Sequence, residues 1–162
     1  MKKYTTLTRC ALLTATALII SLLENFIPIP VPGVKLGLAN AVSLYLVLYH
    51  TPKEAFGVLT ARLLLAALIS GNPSMLLYSA SGGILALLLT WGLKRFSCFS
   101  PIGLSVAGAA VHHIGQLCCA ALITGSPSVL AYLPLMLLCS LVTGTVTGSL
   151  CIVVYRRIKN HS

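Results

Sequence analysis

The chain has 162 residues, of which 57% are hydrophobic and 8% charged, with a formal net charge of +9. It is too apolar to cover a water-soluble surface, and its length allows one domain without a separate soluble one. Asp is absent and the acidic residues are Glu24 and Glu54, which argues against an Asp-rich magnesium-diphosphate site and a carboxylate dyad of the usual sort. A Gly-x-x-x-x-Gly-Lys-Ser/Thr run is also absent, so any ATP-driven work falls to a partner.

Apolar runs occur at about 7–27, 36–49, 54–70, 74–93, 101–124 and 128–155, which predicts an all-α membrane protein of six helices in a single domain spanning 1–162. The first run has a basic flank, but its Ala15, Thr16, Ala17 triplet lies within the apolar stretch, so it reads as a retained helix and not a cleaved leader. After it come Pro28, Pro30 and Pro32, which fix φ and lack an amide hydrogen; the backbone there is expected to run extended until Leu36 restarts a helix. A helix needs roughly 20 residues to cross a bilayer, so the second and third runs are short and are expected to tilt, to be partly re-entrant or to sit in thinned lipid.

The charge of the connections alternates. With six spans, Lys2, Lys3, Arg9, Lys53, Lys94, Arg95, Arg156, Arg157 and Lys159 fall on one side, the other side holds Lys35, and Arg62 lies within a span. Positive loops face the cytoplasm, so the chain is expected in the cell membrane with both termini on the cytoplasmic side. This bias and contact with lipid headgroups account for the basic charge better than nucleic-acid binding does. The six cysteines lack paired metal spacing and read as small buried thiols; no cofactor and no metal site is expected.

Polar residues at membrane depth are costly and call for a reason. On this topology Glu24, Asn40, Asn72, Tyr78 and Tyr132 share the outer half with His112 and Gln116 of the fifth helix. Gly108, His112 and Gln116 repeat every four residues and so line one helical face, with Gly115 beside it. An outward-facing pocket follows, although His112 and Gln116 are equally suited to hydrogen-bond neighbouring helices, and Tyr78 and Tyr132 to act as interfacial anchors. Arg62, roughly 13 Å along its helix from Lys53, suits either an ion pair with Glu24 or an anionic ligand group. His113 points about 100° away from His112, so the pair is a poor metal site. Gly144 and Gly148 predict close packing within the subunit, and Ala11 and Ala15 either packing or a partner surface.

The segment Lys35, Leu36, Gly37, Leu38, Ala39, Asn40, the segment His112, His113, Ile114, Gly115, Gln116, Leu117 and the six-run pattern resemble the Gx transporter family, long labelled heptaprenyl diphosphate synthase component I. The resemblance runs from about Thr8 to Arg157. That family is similar to the substrate-binding S components of energy-coupling factor (ECF) transporters, whose spaced first-helix alanines contact a transmembrane coupling subunit; Ala11 and Ala15 match that pattern. The resemblance implies an ECF S-component-like bundle that is not an enzyme. Such a subunit takes a small vitamin-like solute or quinone or isoprenoid precursor from outside and passes it inward with coupling and ATP-hydrolysing subunits. A membrane scaffold for a prenyl diphosphate synthase, and a proton-coupled carrier using Glu24 and His112, are the alternatives.

Overall fold

The computed structural model describes residues 2–27, 35–96 and 98–160; the proline-rich stretch 28–34 lies outside them. Six α-helices follow one another: α1 (Lys2–Leu23), α2 (Asn40–Tyr49), α3 (Pro52–Ser70), α4 (Pro73–Leu93), α5 (Pro101–Thr124) and α6 (Leu133–Asn160). Short 3-10 turns, Glu24–Phe26 and Pro127–Tyr132, follow α1 and precede α6.

Local chemistry sets most helix ends. Thr51, Asn72 and Ser100 each stand before a proline at the first helical position and accept backbone N–H groups of the first turn, so three of the helices begin with a side-chain cap. In α3 Glu54 also accepts from the Thr51 hydroxyl at 3.0 Å. Gly71 and Gly125, at φ of 62° and 64°, stop α3 and α5 in the left-handed conformation that glycine adopts without steric cost.

The second helix departs from expectation. It begins at Asn40 and not at Leu36, and has 10 residues, about 15 Å of rise, half of a bilayer core. Two contacts explain the delay: Gly37 sits at φ 81°, outside helical space, and the Leu38 N–H is taken by the Glu24 carboxylate. Four stretches, Tyr4–Leu23, Pro73–Leu93, Pro101–Thr124 and Pro127–Asn160, are long and apolar enough to cross a membrane. The third helix has the length, 19 residues, but carries Lys53, Glu54 and Arg62.

Short α2 is the centre of the bundle, touched by α1, α3, α4, α5 and α6. Every residue from Ala41 to Val47 is buried, so it is apolar on all sides. Around it α5 packs tightly on α4 and α6 through small residues. A Cβ built on Gly144 would lie 2.5 Å from Val106 Cα and one on Gly148 2.9 Å from Ile102 Cα, so only glycine permits this approach. Outside, Leu68, Leu88, Leu122, Leu138 and Val142 are exposed, an apolar perimeter suited to lipid.

Contacts at the ends show that the helices alternate in direction. Arg9 of α1 bonds Glu54 at the start of α3, Lys94 after α4 donates to the carbonyl of Val47 near the end of α2, and Tyr49 stacks on Tyr155 of α6 at 3.8 Å. One end of the bundle therefore gathers Arg9, Lys94 and the basic tail of α6. The opposite end holds Glu24 and Lys35.

Candidate functional site at the Lys35 end

At that opposite end the segment from Lys35 to Ala39 is pinned from three sides. Glu24 accepts the Leu38 N–H at 2.5 Å. The Lys35 ammonium donates to the carbonyl and hydroxyl of Ser21 at 3.1 and 3.2 Å, and its backbone N–H donates to Gln116 Oε1 at 3.3 Å. Burial pushes the Lys35 ammonium below the usual lysine range, and the nearby Glu24 carboxylate opposes that shift. His113 Nε2 meets the Leu36 carbonyl at 3.2 Å, so His113, which points away from His112, anchors the segment.

Arg62 reaches this cluster from α3. Its Nη2 donates to Asn40 Oδ1 at 3.2 Å, and because a guanidinium can only donate, this fixes which side of the Asn40 amide faces it. Asn40 Nδ2 then donates to His112 Nδ1 at 2.7 Å, so the neutral imidazole carries its hydrogen on Nε2. The chain Arg62, Asn40, His112 thus links α3, α2 and α5 and determines a tautomer.

Glycines make room for it. A Cβ on Gly37 would fall 2.8 Å from the His112 ring, and one on Gly82 2.6 Å from the His112 carbonyl, 2.7 Å from its Nδ1 and 2.9 Å from Gln116 Cγ. Gly115, expected beside a ligand, instead receives α4: its Cβ would meet Gly82 Cα and Ser81 O, both at 3.1 Å. Gly108 lies against Thr90 of α4 and borders a cavity.

The polar atoms are not all matched. Glu24, Arg62 and Gln116 are 3%, 4% and 0% exposed. Among the described residues Arg62 Nε, His112 Nε2, Gln116 Nε2 and His113 Nδ1 are buried without a hydrogen-bond partner. With the tautomers above, the first three are donors and the last an acceptor. Leaving such a group unpaired costs about 1–3 kcal/mol, so these four atoms are where the cluster can take further hydrogen-bond partners. Just inward of Asn40 a cavity of about 30 Å³ is bordered by Gly37, Asn40, Thr90, Ser105, Thr143 and Thr147. That volume suits one or two waters and is far below the roughly 300 Å³ of a small-molecule pocket, so this is a closed arrangement.

Of the residues expected at an outer pocket, Glu24, Asn40, Arg62, His112 and Gln116 come together. Tyr78 is buried on α4 one turn from Gly82. Asn72 caps α4, accepting from Ser74 and Met75 N–H groups, and Tyr132 ends the 3-10 turn before α6 with its side chain partly exposed. The anticipated Glu24–Arg62 pair is not a direct salt bridge, although the two charges attract one another across the cluster: Glu24 caps Leu38, and among the described residues the salt bridge is Arg9–Glu54. Glu24 and His112 likewise bind different partners. Ala11 and Ala15 are exposed on α1.

Sequence reasoning missed Ser21, Lys35, Gly37, Gly82 and His113 as parts of the site. For Lys35 a signal existed, since it is the lone cation of the side that the charge bias leaves neutral. For Gly82 it was weaker: the Gly82–Gly83 pair interrupts an otherwise bulky helix without saying what approaches it.

No curated protein and no solved structure matches the chain. A family model described as heptaprenyl diphosphate synthase component I matches residues 13–153, which takes in every residue of the cluster, and the chain belongs to that family.

Proposed function

We propose that the chain is the solute-binding membrane subunit of an ECF-type transporter, is not itself an enzyme, and sits in the cell membrane with both termini in the cytoplasm. The observation that carries this reading is the buried cluster of Arg62, Asn40, His112 and Gln116, whose unpaired polar atoms lie beside a segment that Gln116 and His113 hold by hydrogen bonds. In the closed arrangement Gln116 and His113 are occupied by backbone groups of Lys35 and Leu36. Displacing that segment frees them for a solute from outside, and the exchange replaces hydrogen bonds with others of similar strength. The exposed apolar face of α1 around Ala11 and Ala15, with Leu7, Leu12 and Ile19, supports docking of a transmembrane coupling subunit, since small residues let two helix backbones approach. ATP-hydrolysing subunits then drive inward release.

A second reading follows from the family description, which names a component of a prenyl diphosphate synthase. With Asp absent, the chain in that case serves as a membrane scaffold for the catalytic partner. Affinity purification of the tagged chain in mild detergent separates the two. Recovery of a coupling subunit with ATPases, and solute uptake that stops without ATP, is the expected result. Recovery of a soluble prenyl synthase instead supports the scaffold, and uptake by the chain alone driven by a proton gradient defeats both.

A further inference from the structure

We infer that the solute taken at this cluster carries a single negative charge, of the kind a carboxylate supplies, and that Arg62 and the Gln116 amide receive it. This rests on the solute-capture reading and adds the chemical class. The buried charged residues at this end are Lys35, Arg62 and Glu24, two cations against one anion. Lys35 is held by Ser21, and Glu24 is spent on the Leu38 N–H. Among the described residues Arg62 hydrogen-bonds only a neutral amide oxygen and its Nε has no partner, while Glu24 attracts it from a distance without forming a salt bridge. Glu24 is shared between the two cations, so a net positive charge is left in a buried site, an arrangement that an entering anion relieves.

The unpaired hydrogen-bonding atoms agree with the charge. Arg62 Nε, His112 Nε2 and Gln116 Nε2 all offer hydrogens, whereas among the described residues of the cluster the unpaired acceptor is His113 Nδ1. A ligand group rich in acceptors satisfies three of the four, and a donor-only ammonium satisfies one. A diphosphate brings too much negative charge for one net positive charge, so the cluster is not suited to a prenyl diphosphate even though the family description names one.

The test uses the full-length protein in non-ionic detergent at neutral pH and matched ionic strength, with melting temperature as the readout. Benzoate, its neutral counterpart benzamide, and inorganic pyrophosphate are titrated separately. Benzoate is expected to raise the melting temperature saturably, as a ligand of the folded state does, and the other two not to. Arg62→Gln should weaken the benzoate response about 10- to 150-fold, the range for a hydrogen bond to a charged group, and Arg62→Lys should retain part of it.

Gln116→Glu provides a variant that does not depend on Arg62 tolerating change. It keeps the oxygen that accepts from Lys35 and supplies the missing negative charge, so it should raise the melting temperature of the ligand-free protein and abolish the benzoate response. A merely structural cluster predicts the reverse, a lower melting temperature from burying a new charge. Phosphatidylglycerol added to the micelle in place of benzoate separates a lipid headgroup from a free solute: a response to the lipid alone would overturn the solute assignment. The inference also fails if benzamide or pyrophosphate acts as well as benzoate, if Arg62→Gln responds like the parent, or if the parent responds to none of the probes. A neutral molecule identified on the purified protein would remove the charge assignment while leaving solute capture in place.

Discussion

Gly82 offers the sharpest perturbation, because one added methyl group falls against both α5 residues of the site. In Gly82→Ala the new Cβ would meet His112 O at 2.6 Å and Nδ1 at 2.7 Å, distances that backbone cannot tolerate, so α4 must move away from α5. Overpacking of this kind costs about 1–3 kcal/mol, and losing the Asn40–His112 hydrogen bond adds about 1 kcal/mol. At roughly 2–4 °C per kcal/mol for a chain of this size, the melting temperature in detergent should fall by about 4–16 °C. Gly92, on the same helix, is the control: a Cβ there has nothing within 4 Å. Gly92→Ala should leave the melting temperature unchanged or raise it slightly, since Ala is the better helix former by about 0.5–1 kcal/mol. If Gly82→Ala melts at or above the parent and Gly92→Ala does not differ from it, the close seating of α4 on the His112 turn is wrong.

The other predictions concern partner, orientation and the opposite end of the bundle. Ala11→Leu and Ala15→Leu are expected to prevent recovery of the coupling complex while sparing solute binding; normal recovery from both would leave these alanines as ordinary lipid-facing positions. In a cysteine-free background, Ser126→Cys should react with an impermeant thiol reagent in intact cells and Lys159→Cys only after lysis, and the opposite pattern would invert the orientation. Glu54→Gln removes the 2.6 Å ion pair with Arg9, but both side chains are solvent-accessible to some degree, so a loss of only about 0.2–1 kcal/mol is expected. A much larger drop would show that the Arg9 end is desolvated by more than this chain.

Local signals explain what was legible in the sequence. Thr51-Pro52, Asn72-Pro73 and Ser100-Pro101 mark three helix starts, and Gly71 and Gly125 mark two stops, because capping and positive φ depend on residues next to one another in the chain. The four-residue spacing of His112 and Gln116 placed them on one face for the same reason. What was not legible depends on contacts between distant segments. The delayed start of α2 follows from Glu24 capturing the Leu38 N–H, and the role of Gly82 from the approach of α5. The capping function of Asn72 shows the converse: its membrane-edge position suggested a ligand contact, whereas the proline after it already identified a helix start.

The central claim is that the Arg62, Asn40, His112 and Gln116 cluster binds a solute, and native mass spectrometry of the full-length protein, released gently from detergent, tests it most directly. The parent is predicted to carry a small molecule in addition to lipid, and His112→Ala and Gln116→Ala to carry it at occupancies reduced in line with a 1–3 kcal/mol loss, about 5- to 150-fold in affinity. Their melting temperatures should change less than their occupancies. A parent free of any small molecule, or variants that keep it while melting at markedly lower temperature, would show instead that these side chains only hold the helices together.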